Sequence, residues 1–116
     1  MFRIATALPC LLLIAATPAA ADETAIFRDW IRARCLAVAA GDTDFGRDAA
    51  ASAGALVEKG TLPAEAYEGG ETLITAALAK PLTGSRPVRY DTLKCFDLAA
   101  SREVGRLVAR LRGHKG

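Results

Sequence analysis

The sequence is poor in the side chains that carry out reactions. Its single histidine, His114, stands two residues from the C-terminal Gly116, and no CxxC, GxGxxG, GxxxxGK, HExxH or GxSxG pattern occurs in it. A nucleophilic cysteine needs a positioned base, and a metal site needs several convergent ligands. One histidine in a terminal tail supplies neither, so the sequence predicts no catalytic residue, no metal ligand, no cofactor and no enzyme. The acidic pairs Asp42/Asp44 and Glu68/Glu71 read as surface carboxylates of helices rather than as acid and base. Charge of one sign is also lacking: the formal net charge is +2, which gives no global field for nucleic acid or a membrane surface. Long hydrophobic runs are missing as well. The one apolar stretch, from Ala5 to Ala16, is interrupted by Pro9 and falls short of the ~20 residues that span a bilayer.

That stretch has another use. Arg3 precedes it and the small residues Ala19, Ala20 and Ala21 follow, which is the layout of a secretory signal with cleavage before Asp22. The sequence therefore predicts a signal peptide over 1–21 and an exported domain over 22–116. A membrane anchor and a lipidated Cys10 are the competing readings of the same segment; the short run speaks against the first, and Pro9 beside Cys10 against the second.

Cleavage removes Cys10 and leaves Cys35 and Cys95. Cys95 follows Lys94 on what reads as the opening turn of a helix, where a thiolate would be stabilised by the cation and the helix end. In an exported small domain, however, two cysteines are first read as a disulfide, here with one possible pairing. On the chain-entropy picture, closing so long a loop stabilises the fold by roughly 4 kcal/mol.

Period-two runs are absent and β-branched residues are few, whereas alanine is abundant, so the fold class expected is an all-α bundle of four to five helices. Phe27, Trp30, Ile31, Cys35 and Val38 recur at helical spacing from Glu23 to about Ala39, and Gly41 ends the run. Asp42 or Thr43 can cap a second helix with Phe45, Ala49, Ala53, Leu56 and Val57 on its inner face, closed by Gly60. A third runs from Pro63 to about Lys80 with Tyr67, Gly70, Leu73, Ile74, Ala77 and Leu78, and Gly69-Gly70 in its middle invites a kink or break. Asp91 is expected to cap a fourth helix carrying Leu93, Cys95, Phe96 and Leu98. Ser101 caps a fifth with Val104, Leu107, Val108 and Leu111, stopped by Gly113. Arg28, Arg32 and the series Arg102, Arg106, Arg110 read as solvated faces. Acids concentrate in 42–71 and bases in 80–116, either as two faces that attract within the fold or as surfaces offered to a partner or a second copy. Between the third and fourth helices lies "KPLTGSRPVRYD", longer than most helix–helix connections and therefore a place to look for function.

The order "FRDWIRARCLAVA", "DAAASAGALVE", "LITAALAK", "LKCFDLAASREVGRLVARL" resembles the periplasmic immunity proteins of type VI secretion amidase effectors. The most specific points are Trp30 five positions before Cys35, the LKC-x-D signature at Leu93–Asp97, and Ser101-x-Glu103 at the start of the last helix. The resemblance spans residues 27–111. It implies an all-helical fold, a disulfide joining the first helix to the LKC helix, commonly a homodimer, and binding to a papain-like cysteine amidase that cuts peptidoglycan stem peptides. Members of the family are thought to block the amidase cleft with a protruding loop between helices. The element in that place is 81–90, with Ser85, Arg86, Val88 and Arg89 as the expected contacts. The runner-up is a periplasmic structural, adaptor or chaperone-like protein in which the same loop is a plain connector.

Overall fold

The computed structural model describes residues 18–112. The expected signal segment up to residue 17, the stop at Gly113 and His114 lie outside the described residues. Five helices follow one another: α1 (Pro18–Ala40), α2 (Asp44–Lys59), α3 (Ala64–Ala79), α4 (Asp91–Ala99) and α5 (Arg102–Leu111). Among the described residues there is no strand, and no helix is long and apolar enough to cross a membrane.

Helix α1 is the axis of the bundle. It begins at Pro18, ahead of the expected start at Glu23, and packs against all four other helices. Phe27, Trp30, Ile31 and Cys35 point from it into the core, as their spacing predicts. They meet Ala66 and Ile74 of α3, Cys95, Leu98 and Ala99 of α4, and Val104, Leu107 and Val108 of α5. Phe27, Trp30 and Tyr67 form an aromatic cluster, with ring centroids 5.4 Å apart for Phe27–Trp30 and 5.0 Å for Trp30–Tyr67. Cys35 and Cys95 are joined in a fully buried disulfide that spans α1 and α4, with their Cα atoms 5.5 Å apart. The Cys95 sulfur is therefore a staple and not a thiol.

Turn chemistry sets the helix ends. Gly41 takes φ +62°, a backbone that glycine adopts without steric cost, and turns the chain from α1 into α2. Thr43 caps α2, its hydroxyl accepting the Gly46 N–H at 2.9 Å. Of the two capping candidates it is thus Thr43 that serves, while Asp42 pairs with Arg47. Ser101 caps α5 as expected, accepting from the Val104 N–H at 3.3 Å.

Three readings of helical faces are corrected. Phe45 and Val57 stay exposed, at 58% and 41%, because among the described residues α1 is the one helix against which α2 packs, with Gly46, Ala49 and Ala53 its buried positions. Contact through such small residues covers only a narrow strip, and the large side chains on its edges remain outside. Val38, Leu93 and Phe96 are exposed for a related reason: among the described residues no further helix covers α1 and α4 on those sides. Gly69-Gly70 produces no break, since α3 runs through it. Its glycines serve close packing instead, for a Cβ at Gly70 would lie 2.5 Å from Trp30 Cζ3.

Arg28 is the third correction. Rather than facing solvent, its Nη1 donates to the carbonyls of Ala99 at 2.7 Å and Ser101 at 3.0 Å. The guanidinium thereby satisfies the carbonyl of Ala99, the last residue of α4, where a cation is also favoured by the helix dipole, and by reaching Ser101, the N-cap of α5, fixes the α4–α5 corner.

Alanine substitution should therefore have opposite signs at two helical glycines. Gly54 has open space around it, and Gly54→Ala is expected to stabilise by about 0.5–1 kcal/mol. Gly70→Ala should cost about 1 kcal/mol or more, overpacking outweighing the gain in helix propensity; urea unfolding of both variants checks the pair. Replacing Cys35 and Cys95 together by alanine should lower the unfolding free energy by about 2–5 kcal/mol, read from the same titrations. The Tyr67 pKa is raised above the usual phenol value by burial and, second, by the nearby Glu23 carboxylate. Folding thus favours the neutral phenol, a contribution complete below about pH 10 and lost as pH rises through the higher folded value. Unfolding free energy measured across alkaline pH should fall less steeply in Tyr67→Phe.

Candidate functional site

The long connection between α3 and α4 comprises residues 80–90. Lys80 closes α3, its N–H donating to the Ala77 carbonyl at 3.3 Å, and the chain then runs exposed from Pro81 to Arg89. All four residues expected to make contacts lie here: Ser85, Arg86 and Val88 around the tip and Arg89 near the base, every one exposed. Val88 is an apolar side chain 58% exposed. The Arg86 guanidinium has no hydrogen-bond or ion-pair partner among the described residues. Arg89 is engaged instead, with Nε 3.3 Å from Asp91 Oδ2 and Nη2 donating to the Leu78 carbonyl at 3.4 Å. Within the site the arginines therefore differ: one is free at the tip and the other braces the base.

The end of the loop differs from the capping expected of Asp91. Tyr90 is the N-cap of α4, with φ 57° and ψ 35°, and its backbone carbonyl accepts the Lys94 N–H at 3.0 Å. Asp91 belongs to the first turn, where its carboxylate meets two cations, Arg89 and Lys94, rather than backbone amides. Lys94 is nearly buried, and a buried ammonium needs partners. It finds them in Asp91 Oδ1 at 3.3 Å and the Leu78 carbonyl at 3.4 Å. So Lys94, adjacent to Cys95 in sequence, does not activate sulfur; it ties the start of α4 to the end of α3, the two posts of the loop.

Inside the loop the ties are made by Tyr90. Its hydroxyl accepts the Arg86 N–H at 2.9 Å, and its ring lies against Gly84. Neither contact is legible in the sequence, where a tyrosine and a glycine six positions apart in a loop carry no periodic signal. Beside the loop, Val88, Leu93 and Phe96 line a shallow depression, and the Arg32 guanidinium sits over the Phe96 ring at 5.6 Å from its centroid. Among the described residues no group of three or more His, Cys, Asp or Glu side chains could hold a metal ion.

An exposed, braced loop on a disulfide-joined helical bundle is the arrangement expected from the sequence resemblance, and comparison with known proteins bears on it directly. The family model for type VI secretion system (T6SS) amidase immunity proteins, Tai4, matches residues 25–108. No curated protein sequence matches the chain. Among solved structures, the type VI effector–immunity complex Tae4–Tai4 from Enterobacter cloacae contains a chain 30% identical, with a TM-score of 0.68 over 82% of this chain and 97% of that one. The complex of Tae4 from Salmonella typhimurium with Tai4 from Enterobacter cloacae matches at 30% identity and a TM-score of 0.67, over 81% and 97%. The Tae4/Tai4 effector–immunity system from Salmonella typhimurium, a selenomethionine variant, matches at 27% identity and a TM-score of 0.70, over 76% and 87%. With most of its described length matched in sequence and in fold, this chain belongs to the Tai4 family of type VI secretion system amidase immunity proteins.

Proposed function

We propose that this immunity protein neutralises a peptidoglycan amidase effector by presenting the 80–90 loop to the active-site cleft of the enzyme, and that it does so in the periplasm after removal of residues 1–21. The similar solved structures are complexes of Tai4 with Tae4, which makes an amidase of that class the partner to expect for this chain. The observation that carries the role of the loop is its combination of exposure and bracing: every residue from Pro81 to Arg89 is exposed, yet Arg89 is tied to Leu78 and Asp91 and the Arg86 amide to Tyr90. A segment ordered before binding gives up less conformational entropy on complex formation. Pro81 and Pro87 restrict it further.

The tip offers two kinds of contact. Val88 supplies an apolar anchor, and Arg86 supplies a guanidinium that can pair with a carboxylate in two parallel hydrogen bonds. A papain-like amidase acts through a cysteine thiolate beside a histidine, and a loop seated over that pair excludes the stem peptide without any chemistry of its own. Neutralisation is then a matter of occupancy, and the inhibitor needs no catalytic group. The buried disulfide suits the same reading, because the bond persists in an oxidising compartment.

Cleavage of a stem peptide by the amidase encoded beside this chain should cease when the mature protein is added in stoichiometric amount. Arg86→Ala combined with Val88→Asp should weaken the inhibition by about 10²-fold or more, as expected for truncating two anchors, without changing the thermal midpoint. Inhibition of undiminished strength by that double variant would move the site away from the loop.

A further inference from the structure

We propose that Tyr90 is the positioning residue of the inhibitory loop, a post under the loop that holds the Gly84–Arg89 segment in the conformation the amidase binds. The proposal rests on the loop reading above and adds to it the residue that sets the loop's shape.

Three observations converge on Tyr90. It is the one non-glycine residue with positive φ among the described residues. The left-handed region is uncommon for a bulky side chain, and such a conformation persists only where the surroundings over-determine it. Here the turn it makes sends the chain into α4 while the side chain folds back beneath the residues that precede it.

The second observation is the hydroxyl. Between Pro81 and Arg89 no backbone–backbone hydrogen bond is made among the described residues. The Arg86 N–H donates instead to the Tyr90 hydroxyl, 2.9 Å away, at the residue whose guanidinium is free to meet a partner. One phenol therefore stands in for the ladder that a regular turn would have.

The third is Gly84. A Cβ there would lie 2.3 Å from the Tyr90 oxygen and 2.4 Å from Cζ, so the loop backbone closes over the ring only because that position has no side chain. Glycine above, phenol below and the Arg86 amide beside them form one interlocked unit. Elsewhere in the exposed loop, among the described residues, Arg89 is held at the Leu78 carbonyl and Asp91, where Lys94 of α4 also bonds.

Such a post acts on the free protein. If the tip exchanges among several conformers, the apparent affinity falls by the fraction that is competent to bind, and the association rate falls with it. Removing one neutral hydrogen bond should lower that fraction by up to about fivefold. The dissociation rate is set by contacts in the complex that the phenol does not make.

The test uses the full mature chain and the amidase encoded beside it, with association and dissociation rates measured by surface plasmon resonance. Tyr90→Phe should slow association by about threefold to fivefold, leave dissociation and the thermal midpoint unchanged, and speed hydrogen exchange at the Arg86 amide. Gly84→Ala should slow association by about tenfold. In a Tyr90→Asn background, where the ring is gone and the left-handed backbone is still tolerated, the same Gly84→Ala change should add nothing. Wild-type association by Tyr90→Phe, or an equal effect of Gly84→Ala with and without the ring, would overturn the proposal. Unimpaired affinity in Arg86→Ala and Val88→Asp would remove the loop reading and this proposal together. Lost affinity in those two beside an unaffected Tyr90→Phe would remove only the role of Tyr90.

Discussion

The Cys35–Cys95 disulfide is the constraint on which the rest of the structure depends. It joins α1, which touches every other helix, to α4, which carries the far end of the exposed loop. A nine-residue helix such as α4 is too short to be stable alone. Held to α1 by a covalent bond and by Arg28 at its C-terminal carbonyls, it becomes a fixed support. The loop then spans two anchored points, the end of α3 and the start of α4, instead of hanging from a fraying helix.

Around that tether the molecule divides its polar groups by task. No buried side-chain nitrogen or oxygen among the described residues lacks a hydrogen-bond partner. The part-buried cations Arg28 and Lys94 act as caps, Arg28 on the end of α4 and Lys94 on the Leu78 carbonyl at the end of α3, where the exposed Arg89 joins it. Each lies where the helix dipole favours positive charge. The acidic stretch is met chiefly by its own neighbours and by α1, through Arg47 with Asp42 and Asp44 and through Arg34 with Glu71. The Arg86 guanidinium, in the exposed loop, makes no such pairing among the described residues.

The helices and the disulfide were legible in the sequence because they rest on periodicity, on glycine and Ser/Thr punctuation, and on the two cysteines, Cys35 and Cys95, of the expected exported domain. The stripe through Phe27, Trp30, Ile31 and Cys35 could be read directly, as could the Ser101 cap. What could not be read depends on how closely neighbours approach. Phe45 and Val57 look like core residues until the buried positions of α2 are seen to be glycine and alanine, Gly46, Ala49 and Ala53. Gly69-Gly70 looks like a hinge until Trp30 is found against it. The same limit applied at the site. The place of the candidate loop in the chain could be read from its length, but the difference between a free Arg86 and an engaged Arg89, and the contacts of Tyr90, rest on hydrogen bonds between residues with no shared spacing.

Among the described residues helix α2 packs against α1 and no other helix, while the loop stands on α3 and α4. The two share no packing surface, so their substitutions should combine nearly independently. Substitutions can therefore accumulate in the loop without repacking α2, and in α2 without disturbing the loop. Sequence divergence among such proteins would then be patchwork, with neighbouring segments of one small domain recording different histories.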